Sequence, residues 1–518
     1  MATYTYPGVY IQEISSGVHT ITGVATSIAA FVGWATQGPT DEAALVQSWS
    51  DYQRLYGGLA AGSYLGYAVN DFFNNGGSQA YIIRLVASDA QKASVNVPDA
   101  SSPSGTAFVV TAQNEGGWAG NYGVRIVQNP ADSTRYSFLV VYTPPGGSES
   151  VVESFANLSS NSADPQFRYV QSVVNSGSSF VEISGVTVGS PQPNPISGSL
   201  AAYVLQKGAD GAVLSPATGT GSGAFEAALN ANGSAGNGGV RFLDRVDLFN
   251  LLCVPGEVNP TIIGELQHYC VTKRAFYVVD SDPTVPLANL IAIGPGGIVG
   301  ADAINSALYY PWVRAPDALQ QGRLDDFPPC GFVAGIFAAT DAARGVWKAP
   351  AGVDASLTGV SALDTVLTDL ENGSLNVQAI NCLRTFRNYG TVVWGARTLR
   401  GNDQVGSEWK YVPVRRLALY LEESLYRGTQ WAVFELNDTP LWAQIRLNVN
   451  SFMQTLFRRG AFQGASAREA YFVKCDSETT TQNDINMGVV NVVVGFAPLQ
   501  PAEFVVIQIQ QLAGQLQA

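Results

Sequence analysis

Histidine is almost missing from this chain: its 518 residues include two, His19 and His268. A serine or cysteine hydrolase needs a histidine base held by a carboxylate and set beside a nucleophile. Such a set would rest on His268, because His19 falls in a segment that cannot build a core of its own. No Gly-x-Ser-x-Gly turn supplies the nucleophile. His268, in a helix predicted over 261–270, is expected to be a helix-surface or core histidine without a catalytic role. Cysteine is also scarce and odd in number: Cys253, Cys270, Cys330, Cys382 and Cys475. Most sit in apolar runs such as Leu251-Leu252-Cys253-Val254, so they read as reduced core residues made in a cytosol. Without a Cys-x-x-Cys pair no zinc site is expected. Lysine is rare and no Walker A loop occurs. Gly294-Pro295-Gly296-Gly297-Ile298-Val299-Gly300 has the wrong spacing for a dinucleotide loop, and a proline inside it. Asp280 and Asp282 precede Pro283, which favours a turn and helix cap over a metal site. Asp325-Asp326 reads as a solvated loop. No catalytic residue, cofactor or metal is expected.

Charge is thin too. Asp, Glu, Lys and Arg make up 13% of the residues, about half the usual share. A low-charge surface suits a protein that buries much of itself against neighbours. The formal charge of −13 argues against binding nucleic acid by phosphate neutralisation. Long hydrophobic runs are lacking, since none reaches the ~18 residues that span a bilayer. The most apolar stretch, 487–499, is broken by Asn491 and Pro498. The first basic side chain is Arg54, so the cationic start of a signal peptide is not expected.

What is present is a large apolar fraction, 46%, enough for several cores. At about 150 residues per domain the length corresponds to roughly three to four domains. Charge is segregated: residues 384–474 carry 13 basic and 7 acidic side chains, while the remainder carries 15 basic and 34 acidic. One part of the molecule can therefore face an acidic partner.

Residues 1–22 read as an extended arm, with a turn at Pro7-Gly8 and alternating character at Val9, Tyr10, Ile11, Gln12 and Ile14. A strand over 26–33, a capped helix over 48–57, a helix over 64–73 and a strand over 80–86 make a first α/β stretch, 23–90. From 91 to 205 short β runs alternate with turn clusters such as Thr143-Pro144-Pro145-Gly146-Gly147, as in an inserted all-β module. A middle α/β region, 206–345, has apolar strands over 248–254 and 275–280, which implies a mainly parallel sheet. In 346–500, Val414, Leu417, Leu421 and Leu425 recur at helical spacing. Leu441, Ile445, Val449, Phe452 and Leu456 form a second apolar stripe over 440–459. Arg446 and Arg458 fall off that stripe on opposite flanks, and Arg459 ends the helix. Strands are predicted at 391–394, 431–435, 470–475 and 488–496. The tail, 501–518, holds a final alternating strand over 503–510, with Val505, Ile507 and Ile509 on one face.

Several blocks carry a family resemblance. Pro7-Gly8-Val9-Tyr10-Ile11-Gln12-Glu13, the run 24–33, Phe72-Phe73-Asn74-Asn75-Gly76-Gly77 and Ala80-Tyr81-Ile82-Ile83-Arg84 resemble the start of contractile-tail sheath proteins. Gly345-Val346-Trp347-Lys348-Ala349-Pro350-Ala351-Gly352 looks like that family's mid-chain motif. The match is densest over 381–399, 411–431 and 442–509. It includes Val393-Trp394-Gly395-Ala396-Arg397-Thr398, Arg415-Arg416-Leu417 and Thr479-Thr480-Thr481-Gln482-Asn483-Asp484-Ile485-Asn486.

The resemblance implies a structural, non-enzymatic subunit of a phage tail, R-type bacteriocin or extracellular injection system. Such subunits polymerise as stacked six-membered rings around an inner tube, meet baseplate and cap proteins, and contract to drive the tube through a target envelope. It implies assembly in the bacterial cytoplasm, with neither nucleic acid nor membrane insertion. The expected fold is multidomain α/β. An inner α/β domain is built from both chain ends (23–90 and 346–500), with a subtilisin-like middle domain, the β module outside, and terminal arms that link subunits. A helix of the inner domain would meet an acidic tube surface, which makes Arg446, Arg458 and Arg459 candidate tube contacts. The competing expectations are a hydrolase on the middle domain and a shell or adhesin protein whose β module binds a surface.

Overall fold

The computed structural model describes residues 19–187, 191, 193, 202–230, 233 and 238–508. The chain divides into two compact units. The larger comprises residues 26–343 and 350–412; the smaller comprises 344–349, 413 onward and the residues before 26.

In the larger unit, β1 (Ala29–Trp34) is apolar throughout and buried at all six positions. A strand with no polar face needs cover on both sides and a neighbour at each edge. It pairs in parallel with β3 (Ala80–Leu85), Ala29 opposite Ala80, and with β4 (Leu251–Cys253), Ala29 opposite Leu251. Beyond β4 lie β5 (Phe276–Asp280), β6 (Ser306–Tyr310), β7 (Ile380–Phe386) and β8 (Gly390–Val393). With β2 (Ala44–Val46) the order is β8-β7-β6-β5-β4-β1-β3-β2. The six inner strands run parallel and both edge strands antiparallel.

The mainly parallel sheet is thus present, but it recruits more of the chain than expected. Strands from 29–85 and from 380–393 join the same sheet as those from 251–310. This corrects the inner domain assembled from 23–90 and 346–500. Apolarity in β1 shows that it needs two neighbours without showing which strands they are.

Helices close the sheet. α1 (Trp49–Tyr56) starts at Ser48, whose hydroxyl accepts from the Asp51 amide at 3.1 Å, and stops at Gly57 with φ 83°. α2 (Leu65–Asn74) buries Leu65, Ala68, Val69 and Phe72. α3 (Pro260–Lys273) is capped by Asn259, and α4 (Cys330–Arg344) is buried from Cys330 to Ala338. Asp280, at the end of β5, accepts from the amides of Gly256 and Cys330 at 3.0 and 2.8 Å. It therefore ties a β4 turn to the start of α4, which a helix-cap reading anticipates only in part. Asp282 accepts from the Thr284 amide at 2.8 Å in a local turn. Asp325 and Asp326 lie in a strand, Arg323–Phe327, rather than a solvated loop. Arg84 is buried in β3 and donates to the carbonyls of Ala35, Gly38 and Glu115 at 2.8, 2.8 and 3.0 Å.

The described residues between Ser94 and Val204 are β-rich with a core of their own around Phe108, Phe138, Val140 and Ile183. One sheet holds Ser94–Asp99, Ser102–Ala112 and Val181–Ser184; another holds Tyr122–Gln128, Tyr136–Tyr142, Ser150–Leu158 and Tyr203–Val204. The module is not all β. A helix, Val170–Gly177, buries Val170 and Val174, the four-residue spacing of one helical face.

Glu257 follows β4, is 0% exposed, and accepts from the Asn259 amide at 2.7 Å through Oε1. Its Oε2 has no hydrogen-bond partner among the described residues. Burial pushes this carboxyl up to about 7, well above its unfolded value. The neutral form is the one the fold prefers, so its stabilising contribution is complete below the unfolded pKa and is lost as pH rises through about 7. At about 1.4 kcal/mol per unit, the loss amounts to roughly 3 kcal/mol. Glu257→Gln is expected to raise the melting temperature at pH 8 and to flatten its fall between pH 5 and pH 8. An unchanged pH profile would show that Glu257 is hydrated in the folded state.

The smaller unit is built on two helices, α5 (Val412–Gly428) and α6 (Thr439–Arg458), and a two-stranded antiparallel sheet. The sheet is β9 (Tyr471–Lys474) with β10 (Val493–Phe496), Tyr471 opposite Phe496. The expected stripe of α6 is buried at every position, Leu441, Ile445, Val449, Phe452 and Leu456, against Leu417 and Leu421. Asp438 is the N-cap, accepting from the Leu441 amide at 3.1 Å. The strand expected at 431–435 is instead a 3₁₀ turn, Gln430–Ala432, and an exposed loop in which Phe434 has φ 71°. Val433, Phe434 and Leu436 are exposed there, so their β-branched and aromatic pattern has no sheet to join.

Candidate assembly surface

The smaller unit carries both chain ends and most of the sequence-predicted sites. Of the arm residues, Val9, Tyr10, Ile11, Gln12, Ile14 and Ile509 lie outside the described residues. The arm's exit is described, and it lies along α5. His19 stacks on Trp431 with centroids 4.1 Å apart. Ile21 is 6% exposed and sits against Gly428. Gly23 meets the Tyr420 ring so closely that a Cβ would overlap its hydroxyl, and the Val24 amide donates to Ser424 Oγ at 3.2 Å. The sequence places residues 19–22 in the linking arm and does not anticipate that they pack along α5. The signal was the lone glycine at 23, where backbone must approach an aromatic ring.

At the other end, Phe504, Val505, Val506 and Ile507 are 76%, 82%, 81% and 79% exposed. Residues 503–508 form no strand, which corrects the expected final strand over its described part. A strand needs a partner ladder for its backbone groups, and none is present beside this segment among the described residues. The β9–β10 sheet has no third strand at either edge among the described residues.

The basic candidates separate. Arg446 is half-buried and donates to the Cys475 carbonyl at 2.8 Å, so its guanidinium serves its own subunit. Arg458 and Arg459 are exposed at the C-terminal end of α6. The Arg459 guanidinium lies 5.3 Å from the Trp347 ring centroid. Arg458 has no carboxylate within salt-bridge distance among the described residues; burial pushes the nearby Tyr471 hydroxyl up, and the Arg458 charge offsets part of that rise.

The enzymatic candidates do not converge. His268 has a side chain 72% exposed on α3, with Nδ1 2.9 Å from Asp302 Oδ2. All five cysteines are buried and free, and burial pushes the thiols of Cys270 and Cys330 up, away from the thiolate. Among the described residues no cluster of His, Cys, Asp and Glu is placed to hold a metal ion. Among the described residues no helix is long and apolar enough to cross a membrane. His268→Ala is expected to change stability by less than about 0.5 kcal/mol and to leave self-assembly intact, as checked by thermal melting and electron microscopy. A hydrolytic activity that vanished in this variant would overturn the structural role.

Comparison with known proteins agrees with this arrangement. A family model described as the phage tail sheath protein central domain matches residues 240–399, and one described as the phage tail sheath C-terminal domain matches residues 404–511. Together they span more than half of the chain, which belongs to the contractile tail sheath family. The tail sheath protein of Vibrio phage KVP40 is 24% identical over 207 residues, 38% of this chain and 30% of that protein. A putative prophage major tail sheath protein of Pseudomonas aeruginosa strain UCBPP-PA14 is 26% identical over 194 residues, 37% of this chain and 46% of that protein. The matched region thus spans less than half the length of either curated relative.

Among solved structures, the sheath of an extracellular contractile injection system, the PVC sheath complex in its contracted state, has a TM-score of 0.60 at 24% identity, covering 99% of both chains. The contracted helical sheath of the anti-feeding prophage has a TM-score of 0.58 at 23% identity, covering 98% of this chain and 100% of that one. The sheath tail protein of Listeria innocua has a TM-score of 0.60 at 12% identity, over 92% and 96%. These likenesses establish the shared mixed α/β fold.

Proposed function

We propose that this chain is the repeating subunit of a contractile sheath: six-membered rings of it stack around an inner tube, meet a baseplate below and a cap above, and shorten to drive the tube through an envelope. The observation that supports this most is the pairing, on one unit, of an exposed apolar tail at 504–507 with an open-edged two-stranded sheet. A tail segment of one copy can add a strand to the sheet of another, with backbone hydrogen bonds supplying affinity and alternate side chains supplying register. In this reading Val9, Tyr10, Ile11, Gln12 and Ile14 of the first arm, and Val505, Ile507 and Ile509 of the last, link neighbours into a mesh. Arg458 and Arg459 face the tube, with Arg446 a lesser contributor.

The work of contraction is the free-energy difference between two packings of the same subunits, so no nucleotide is consumed at firing. In this reading the parallel sheet of the larger unit is the subtilisin-like middle domain that the family resemblance implies, and a fold of that kind does not bring protease activity with it. The β-rich module occupies the outer surface. Assembly takes place in the bacterial cytoplasm, and the finished particle is a phage tail or a related contractile device. The test is negative-stain electron microscopy of the purified protein, alone and co-expressed with a candidate tube protein. Hollow helical cylinders are expected. Closed shells, or a subunit that stays monomeric at all concentrations, would overturn the reading.

A further inference from the structure

The larger unit opens into a cavity of ≈590 Å³, a size typical of ligand sites. It lies where β4, β5 and β6 end: Gly256 and Val258 follow β4, Pro283 follows β5, and Trp312 follows β6. Strand order reverses nearby, between β1 and β4, because the chain first runs outward to β3 and then returns. Open parallel sheets place ligands at the carboxyl ends of their strands beside such a switch.

The walls are aromatic. Tyr64 and Trp312 meet edge to face with centroids 5.4 Å apart, and Tyr67 lies 4.6 Å from Phe327. The indole is fixed by a 2.7 Å hydrogen bond from Trp312 Nε1 to the Ser281 carbonyl. The charged residues in the lining are all acidic: Asp317, Asp325 and Asp326. Two of them already have company. Asp326 takes Arg314 at 2.8 and 2.9 Å, and Asp325 accepts from Gln320 at 3.1 Å with Arg323 at 3.7 Å.

Asp317 differs. It is buried, and its Oδ1 accepts from the Tyr67 hydroxyl at 2.6 Å and the Leu319 amide at 2.8 Å. It has no lysine or arginine within salt-bridge distance among the described residues. Burial works against its charge, but these hydrogen bonds and those from Gln320 outweigh burial and hold the carboxyl below its ordinary range. A buried carboxylate kept ionised, without a cation, opens on a cavity walled by four aromatic rings. Aromatic rings and a carboxylate together select an organic cation over a neutral or anionic ligand.

We propose that this cavity binds a guanidinium or alkylammonium group, with Asp317 as its counter-ion and Tyr64, Tyr67, Trp312 and Phe327 around it. The charge distribution favours a basic side chain of a second copy as the source. Residues 384–474 of each chain carry the excess of Lys and Arg, and the cavity belongs to the acidic remainder. That source rests on the sheath reading; the cation site itself does not.

The test titrates unpolymerised protein with n-butylguanidinium, and separately with its neutral isostere n-butylurea, at constant ionic strength by calorimetry. Saturable binding of the cation is expected, at least tenfold tighter than the urea. Asp317→Asn, which keeps the shape and can still accept from Tyr67, should weaken cation binding at least tenfold. Leu319→Lys, at an exposed position on the rim, should weaken it too and guards against a folding defect in the first variant. Equal affinity for the two probes, or no saturable binding at millimolar concentrations, would overturn the site. Addition of n-butylguanidinium during polymerisation, against matched sodium chloride, then identifies the source. Slower cylinder formation supports the neighbouring copy. Binding with no effect on assembly keeps the site but overturns that source in favour of a free cation. Wild-type protein that never forms cylinders would defeat the sheath reading and leave the binding result standing.

Discussion

Deleting residues 503–518, or residues 1–20, is expected to leave a folded subunit that forms no cylinders. Neither cut removes a side chain from the described core. The N-terminal cut stops before Ile21, which is buried beside α5, and the C-terminal cut removes Phe504 to Ile507, which are about four-fifths exposed. Exposed Val, Ile and Phe side chains add little to the stability of an isolated chain, because apolar area stabilises only where water is excluded from it. The same area, laid on the edge of a neighbour's β9–β10 sheet, would be covered and its backbone groups paired. Circular dichroism and gel filtration should therefore show wild-type-like monomers, while electron microscopy shows no helical assemblies. Normal polymerisation by both truncations would sink the mesh.

The second large effect is expected from charge reversal at the end of α6. Arg458→Glu combined with Arg459→Glu should leave the monomer folded, since both side chains are exposed. Loss of the Arg459–Trp347 contact and of the favourable helix-end charge would cost about 1 kcal/mol or somewhat more. Assembly should respond much more strongly. In the proposed sheath, one weak contact per subunit, repeated along its length, would set how firmly the extended form is held on an acidic tube. Reversing its sign would turn every one of those contacts repulsive. Extended particles should disappear, leaving unassembled or contracted sheath, and in the wild type added salt should destabilise the extended form in the same direction. Abundant extended particles from the double variant would place the tube contact elsewhere.

Local features of this fold were legible in the sequence because they are set by residues a few positions apart. Ser48 and Gly57 bracket α1, and the stripe from Leu441 to Leu456 fits the helical period and is buried in full. What was not legible depends on partners far along the chain. Nothing in Ala29-Ala30-Phe31 announces that its neighbour is Leu251-Leu252-Cys253, so the strands of 29–85 were assigned to the wrong domain. Arg446 looked like a free surface charge until the Cys475 carbonyl, twenty-nine residues on, was found to accept from it. Trp431 to Glu435 had a strand's composition, yet a strand also requires an adjacent edge. The cavity around Asp317 draws its lining from stretches between Ala61 and Phe327, which no local motif joins. In the tail the misreading is informative: alternation was present, but its pairing partner is not in the same subunit's described residues.

The strap from His19 to Val24 has a mechanical consequence. Its contacts start at Trp431, just past the end of α5, pass Gly428 and reach Tyr420 and Ser424, so it runs broadly antiparallel to α5 across roughly three helical turns. A pull on the arm directed along the helix axis would load these contacts simultaneously, in shear. The same pull directed away from the helix would peel them one after another, starting with the histidine–tryptophan stack. Shear holds far more force than peeling for the same set of contacts. Along residues 19–24 the subunit would therefore resist axial tension better than a sideways tug.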